Sequence, residues 1–315
     1  MESLQFMLIL LLSPLAQGII KKIKAMMQGR RGTPVLQPYY DLARLFKKDM
    51  VIPRTASWIF HGAPYVVFAS VLAASMLVPV FSAGRSTGLW AGGGVGFSGI
   101  GDIIATIYTL ALGRFFLALG GLDAGTAFGG EGSSREMTVA ILVEPSMMLA
   151  IFTAAVASGS TNLGVIANSG SFFFSPAHVL ALAAFFVAII AETGRIPVDN
   201  PDTHLELTMI HEGMLLEYSG KYLAMMEWAH YMKQMLLFTL AADLFFPYGM
   251  AGAGAGFGIA AAAGFWAAKM LILCFGMALA ESTRAKMRFF QLPSLLGAAF
   301  VLSALSMITF VMTGK

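Results

Sequence analysis

The chain has 315 residues, 57% of them hydrophobic and only 12% charged, with a formal net charge of +3. At a mean hydropathy of +0.76 it lacks the polar surface needed to cover a soluble globule, so composition alone implies a membrane protein. A single cysteine, Cys274, excludes a disulfide framework and any cysteine-ligated iron–sulfur or nickel site within the chain.

A hydrocarbon core of about 30 Å takes roughly 20 helical residues to cross, and apolar runs of about that length recur along the chain. They predict an all-α polytopic fold, one transmembrane domain with spans near 3–22, 60–82, 100–120, 137–158, 176–193, 231–247, 255–281 and 293–313. Barrel strands would alternate in polarity, whereas these runs are continuous. The count of eight becomes seven or nine if the Gly-rich stretch Gly92–Gly101 or the soft segment Ser158–Ser175 forms a re-entrant piece. Glu2 precedes the first run and its basic residues follow it, the reverse of a secretory leader, so it reads as the first span.

Basic residues cluster in alternate connections. The first, about 23–59, holds Arg31 and most of the others; the third, 121–136, holds Arg135; the fifth, 194–230, holds Arg195; the seventh, 282–292, holds Arg284, Lys286 and Arg288. By the positive-inside rule these connections are cytoplasmic and both termini lie on the other side. The pI of about 9.0 then reflects topology, and no nucleic-acid partner is implied.

Within the first connection, Tyr39, Leu42, Ala43, Leu45 and Phe46 alternate with Asp41, Arg44, Lys47 and Lys48 at helical spacing. This predicts an amphipathic helix lying at the interface with the lipid bilayer. The third connection is Gly-rich, with Asp123, Glu131, Arg135 and Glu136; its glycines permit a flexible loop or close approach by another surface. The fifth carries six carboxylates between 191 and 220, Glu192, Asp199, Asp202, Glu206, Glu212 and Glu217, together with His204 and His211. Pro197 and Pro201 stop the fifth span, Gly220 suits a helix C-cap, and the interleaved leucines and methionines predict a loop that packs.

Several catalytic patterns fail. "HEGML" at His211 has Leu215 where a zinc protease needs its second histidine, "HLE" at His204 lacks the deaminase cysteines, and "GAGAGFG" at Gly252 has no preceding strand. No catalytic residue and no metal site is predicted. Ionisable residues inside the spans are more informative, since each costs at least about 2.5 kcal/mol at a helix centre unless partnered or hydrated. They are Arg114, Glu144, Glu192, Asp243, Lys269 and Glu281. Asp243 and Glu281 suit structural ion pairs equally well. Together the set predicts a polar interior, as in a proton-coupled transporter or the membrane piece of an ion-pumping complex.

Three separated motifs, "LQPYYDLARLFKKD", "ETGRIPVDNPDTHLEL…LEYSG" and "ESTRAKMRFFQLPSLL", resemble the membrane subunit 1 of respiratory NADH:quinone oxidoreductase (complex I) and its relatives, the membrane-bound group 4 nickel–iron hydrogenases, including formate hydrogenlyase and hydrogenase-4. The resemblance implies eight transmembrane helices in the cell membrane. It further implies a non-catalytic subunit of an oxidoreductase complex that docks a hydrophilic redox arm and couples it to ion movement. No cofactor is expected in this chain; nickel–iron and iron–sulfur centres belong to partners, namely the hydrogenase large and small subunits and a ferredoxin-like subunit, with antiporter-like subunits alongside in the membrane. Glu192, Arg195, Asp199, Asp202, Glu206, Glu217 and Tyr218 fall on the family's acidic-loop motif, Arg31 on the first-loop arginine, Arg284 and Arg288 on the basic motif, and Glu144, in "LVEP", on the fourth-span carboxylate. "PVD" and "DTH", with Val198 and His204 where the quinone-reducing enzymes carry Phe and an acid, favour the hydrogenase branch. Proton path or coupling residues are thus expected at Glu144, Glu192, Asp199, Asp202, Glu206, Glu212, Glu217, Arg114 and Lys269. Docking or cavity roles are expected for Arg31, Asp123, Arg135, Glu136, Arg195, His204, Tyr218, Arg284 and Arg288. The corresponding subunit of the quinone-reducing enzyme, lining a quinone chamber, and a stand-alone proton-coupled transporter are the alternatives.

Overall fold

A computed structural model describes residues 2–80, 101–168, 175–200, 209–249 and 258–313. Among them the elements are α1 (Glu2–Met27), α2 (Gln37–Lys47), α3 (Trp58–Leu77), α4 (Ile103–Asp123), α5 (Ala127–Ser158), α6 (Leu163–Asn168), α7 (Pro176–Glu192), α8 (His211–Leu215), α9 (Gly220–Phe245), α10 (Ile259–Thr283) and α11 (Leu292–Thr313), the last entered through a 3-10 turn at Phe289–Gln291. No strand occurs among the described residues; Asp102 and Asn162 form an isolated bridge.

The protein is an all-α multi-pass membrane protein, with a helix at each of the eight expected positions. Six of these, α1, α3, α4, α5, α10 and α11, are long and apolar enough to cross a membrane, and α7 is a shorter apolar helix of 17 residues. The eighth, α9, carries Lys221, Glu227, His230, Lys233 and Asp243. It tolerates them because α1, α2, α3, α7 and α10 pack around it, and Gln234 to Phe245 are all buried. The outward faces of α10 and α11 present Phe265, Ile272, Phe275, Val301, Ile308 and Val311, the apolar surface that lipid covers.

Local sequence explains the ends. Ser57, Asp102, Thr126 and Ser175 cap α3, α4, α5 and α7 by accepting backbone N–H bonds from the first turn. The amphipathic α2 lies where its pattern places it, burying Pro38 and Leu42 against α1 and α9.

Three expectations change, one of them the fifth connection, which ends at Ser219 rather than 230 because α9 begins at Gly220. The third connection is Ala124 to Thr126 rather than 121–136, because the Gly-rich stretch is the first turns of α5. Its glycines serve close approach: a Cβ on Gly129 would lie 2.4 Å from the Gly121 carbonyl oxygen, and one on Gly132 would lie 3.0 Å from that of Ile210. Gly220 opens α9 instead of capping a helix C-terminus. Its φ of +55° and the Asp49 and Lys48 carbonyl oxygens, 2.8 and 2.9 Å from an added Cβ, leave no room for a side chain. The segment 158–175 is described to 168 and holds the short helix α6. The stretch 92–100, the glycines at 252–256, Asp202, His204 and Glu206 lie outside the described residues.

Candidate functional site

The polar interior holds three neighbouring groups of buried ionic contacts. Arg114 of α4, 6% exposed, donates from Nη1 to Glu144 Oε1 at 2.9 Å and from Nη2 to Glu192. Its Nε lies 3.9 Å from Glu136 Oε1. Lys233 of α9 reaches the second Glu192 oxygen at 2.7 Å. Two cations therefore face three carboxylates, so full ionisation leaves this cluster at a net charge of −1. Its flank is Glu144, whose side chain is 36% exposed while that of Glu192 is 2%.

A second group abuts the first through the neighbouring residues Lys233 and Gln234. Arg195, just past α7, donates to Glu281 of α10 at 3.1 Å, to Gln234 at 2.6 Å and to Gln17 of α1. Lys24 pairs with the other Glu281 oxygen at 3.0 Å. Glu281 is thus a structural ion pair, one of the two readings open for it. Asp199 accepts from Lys286 at 2.8 Å and from the backbone N–H groups of Asn200, Ile210 and His211 at 2.8, 3.0 and 3.3 Å. Together with the bond from Met287 N to the Pro197 carbonyl at 2.9 Å, this ties the acidic loop to the α10–α11 connection. The loop packs, as its leucines and methionines predict.

Tyr218 is the other anchor. Its ring stacks on Phe60 with centroids 4.0 Å apart and planes 3° from parallel, and its hydroxyl donates to the Phe60 carbonyl at 3.3 Å. Burial, with the Asp123 charge adding, pushes its phenol well above the usual value. Asp123 accepts from Ser57 N at 2.8 Å, Ser57 Oγ at 2.7 Å and Phe60 N at 3.0 Å, stitching the end of α4 to the start of α3. Arg135 donates to the Met209 carbonyl at 2.9 Å, pairs with Glu131 one turn back, and lies 5.7 Å over the Phe289 ring. Glu131 therefore steadies Arg135.

The remaining predicted residues distribute differently. Arg31, Arg284 and Arg288 are exposed, as are the apolar Val51, Trp58 and Phe290, at 74%, 75% and 92%. Glu217 is partly buried. Lys269 and Asp243 act on each other electrostatically, and neither Asp243 oxygen has a hydrogen-bond partner among the described residues. Cys274 is 1% exposed and packs in the core. Among the described residues no group of three His, Cys, Asp or Glu could hold a metal ion.

Two cavities flank this ionic set. An outer one of about 380 Å³ lies between α1, α2, α8 and α9 and is lined by Lys21, Asp41, Arg44, Arg195, Glu212 and Glu227, among others. An inner one of about 30 Å³ is bounded by Arg114, Glu136, His211, His230 and Lys233 amid apolar side chains. Gln17, Lys24, His230, Lys233 and Gln234 were not singled out from sequence as site residues. The available signal was the polar stripe 227, 230, 233 and 234 on one face of α9, three to four residues apart.

The helical bundle is that of a membrane protein with buried opposite charges spread over α1, α4, α5, α7, α9 and α10. The chain belongs to the NADH dehydrogenase family, whose model matches residues 1–313, and it is a complex I-like membrane subunit. It is 37% identical to hydrogenase-4 component C of Escherichia coli over 312 residues, 98% of this chain and 95% of that one. It is 31% identical to formate hydrogenlyase subunit 4 of the same organism, over 97% and 96% of the two chains. NADH-ubiquinone oxidoreductase chain 1 of Chondrus crispus is 28% identical over 72% and 68%. The fold matches a chain of an archaeal respiratory membrane complex, the membrane-bound sulfane sulfur reductase, with a TM-score of 0.82 at 18% identity, covering 98% and 97% of the two chains.

Proposed function

We propose that the chain is the core membrane subunit of a complex I-like group 4 nickel–iron hydrogenase, coupling electron transfer in a hydrophilic arm to proton or sodium translocation in antiporter-like subunits. The observation that carries this reading is the ionic set itself, whose buried groups are spread from Asp199 and Lys286, at the basic end of the bundle, to the partly exposed Glu144 on its flank. Likeness to hydrogenase-4 component C and formate hydrogenlyase subunit 4 along nearly the whole chain supports the hydrogenase branch. In this reading the basic end faces the cytoplasm and both termini lie on the opposite side. Arg31, Arg284 and Arg288, with the exposed Val51, Trp58 and Phe290, contact the large, small and ferredoxin-like subunits. The nickel–iron and iron–sulfur centres sit in those partners, and this chain holds none.

Glu192, doubly paired with Arg114 and Lys233, is the residue whose protonation would release two cations at once, and Glu144 is where the change leaves the subunit. Replacing either with Gln in the intact complex abolishes or uncouples hydrogen-linked ion translocation while assembly survives. Full translocation in both variants refutes the reading. Nickel co-eluting with the gently purified complex supports the hydrogenase assignment; flavin and NADH-oxidising subunits would instead select the quinone branch. That branch gains some support from the outer cavity beside α2, although a lining of Lys21, Asp41, Arg44, Arg195, Glu212 and Glu227 suits an apolar tail poorly.

A further inference from the structure

α8 and α9 bring two imidazoles together. The rings of His211 and His230 have centroids 4.6 Å apart with planes inclined at 38°. His230 lines both cavities, the outer one beside Glu212 and Glu227 and the inner one beside Glu136 and Lys233, and His211 lines the inner one with it. The inner space of about 30 Å³ is large enough to hold a water molecule, which needs about 10–15 Å³ on this measure. Two imidazoles therefore stand between carboxylates of a roomy, polar outer cavity and the carboxylates around Arg114.

We propose that His211 and His230 form a proton relay linking the outer cavity to the Arg114, Glu136 and Glu192 cluster. The relay rests on the coupling role proposed above. A proton leaves a carboxylic acid of the outer cavity, Glu212 or Glu227, for one ring nitrogen of His230. The imidazolium then releases the proton on its other nitrogen into the inner cavity, through His211 or a water that the space can admit, to Glu136. One proton moves inward, each imidazole returns to its neutral form, and no electron is transferred.

The surrounding charges agree with a neutral resting pair. Burial, reinforced by Lys233 of α9, lowers the His211 pKa to about 4 despite the carboxylates of Glu227 on α9 and Asp199 on the preceding loop. His230 feels the positive charges of Arg195 after α7, Lys233 on its own helix and Lys21 of α1. Arg114 of α4 and Glu136 of α5 face the pair across the inner cavity, and Asp41, Arg44 and Glu212 face it from the outer one. A neutral imidazole keeps one donor and one acceptor nitrogen, which a relay requires.

The test uses the intact complex in sealed vesicles, with proton translocation and electron transfer measured side by side. His230→Gln and His211→Gln are expected to lower proton translocation by about 10²-fold, with the complex assembled. In His230→Gly, imidazoles added from solution are expected to restore it, with a rate that follows the pKa of the added base across a methyl-substituted series. Translocation at the wild-type rate in both Gln variants overturns the relay. Rescue that ignores the pKa of the base also overturns it, because it marks a space-filling role and remains readable should the Gln variants fail to assemble. A wild-type complex that moves neither protons nor sodium ions overturns the coupling role itself, and one that moves sodium ions alone overturns the relay, outcomes distinct from loss confined to the variants.

Discussion

Gly120 of α4 and Tyr218 at the end of the acidic loop form a contact whose energetics can be dissected. A Cβ on Gly120 would lie 2.3 Å from Tyr218 Oη, 2.9 Å from Ala63 Cβ and 3.4 Å from Tyr218 Cζ. Gly120→Ala therefore overpacks a buried contact, at about 1–3 kcal/mol. Tyr218→Phe alone removes only the 3.3 Å bond to the Phe60 carbonyl, about 0.5–1.5 kcal/mol, and keeps the stacked ring. In the double variant the hydroxyl oxygen is gone and the ring carbon at 3.4 Å is an ordinary contact, so only the Ala63 Cβ at 2.9 Å still crowds the new methyl. The double variant should thus cost less than the sum of the two single variants by about 1 kcal/mol, the size expected of directly touching residues. Equilibrium unfolding of the purified protein in mixed detergent micelles, followed by circular dichroism, measures all three. Additivity within about 0.3 kcal/mol, or a neutral Gly120→Ala, refutes the claim that this hydroxyl sits against the α4 backbone.

Arg114→Met leaves Glu136, Glu144 and Glu192 with Lys233 as the only remaining cation of the cluster and should destabilise by about 3–5 kcal/mol, with Arg114→Lys intermediate because it keeps the charge and loses the two-pronged contact; the same unfolding assay reads both. Asp199→Asn weakens charged hydrogen bonds from Lys286 and three backbone amides and should raise hydrogen exchange at 209–218 by a factor of about 10, the equivalent of about 1.4 kcal/mol. Lys286→Met should do less, since its side chain is 22% exposed and water can take its place while the backbone amides stay bonded. His211, held to about pH 4 against about 6.5 when unfolded, binds its proton later in the folded state. Stability should accordingly fall as pH drops from about 6.5 to about 4, by up to about 1.4 kcal/mol per unit, and His211→Gln should flatten that slope.

The apolar spans were legible because lipid-facing helices must be continuous runs, and α4, α7, α10 and α11 end within a few residues of where hydropathy stops them. α5 and α9 were foreshortened for opposite reasons. In α5 three glycines between 128 and 133 look like a loop, each costing about 1 kcal/mol of helix propensity, but Gly129 and Gly132 are where the carbonyls of Gly121 and Ile210 press in. In α9 the polar residues before 235 dilute the hydropathy, although surrounding helices bury Gln234 and partly bury Glu227, His230 and Lys233. The carboxylates and Arg114 were visible as charges that a span has to partner. Which charge partners which was invisible, because Arg114 meets Glu144 and Glu192 across 30 and 78 residues of sequence.

The geometry of α9 bears on how coupling leaves the subunit. Glu227, His230, Lys233 and Gln234 climb one face over about 10 Å, at 1.5 Å per residue. Beyond Gln234 the buried residues from Met235 to Ala242 are apolar except for Thr239, and Asp243 lies about 13 Å further on. A proton could not follow α9 across that stretch without leaving polar partners behind. The ionic contacts instead turn sideways, from Lys233 to Glu192, through Arg114, to Glu144 at the flank. In the coupling role proposed above, such a route favours lateral transfer to a neighbouring membrane subunit over conduction along α9.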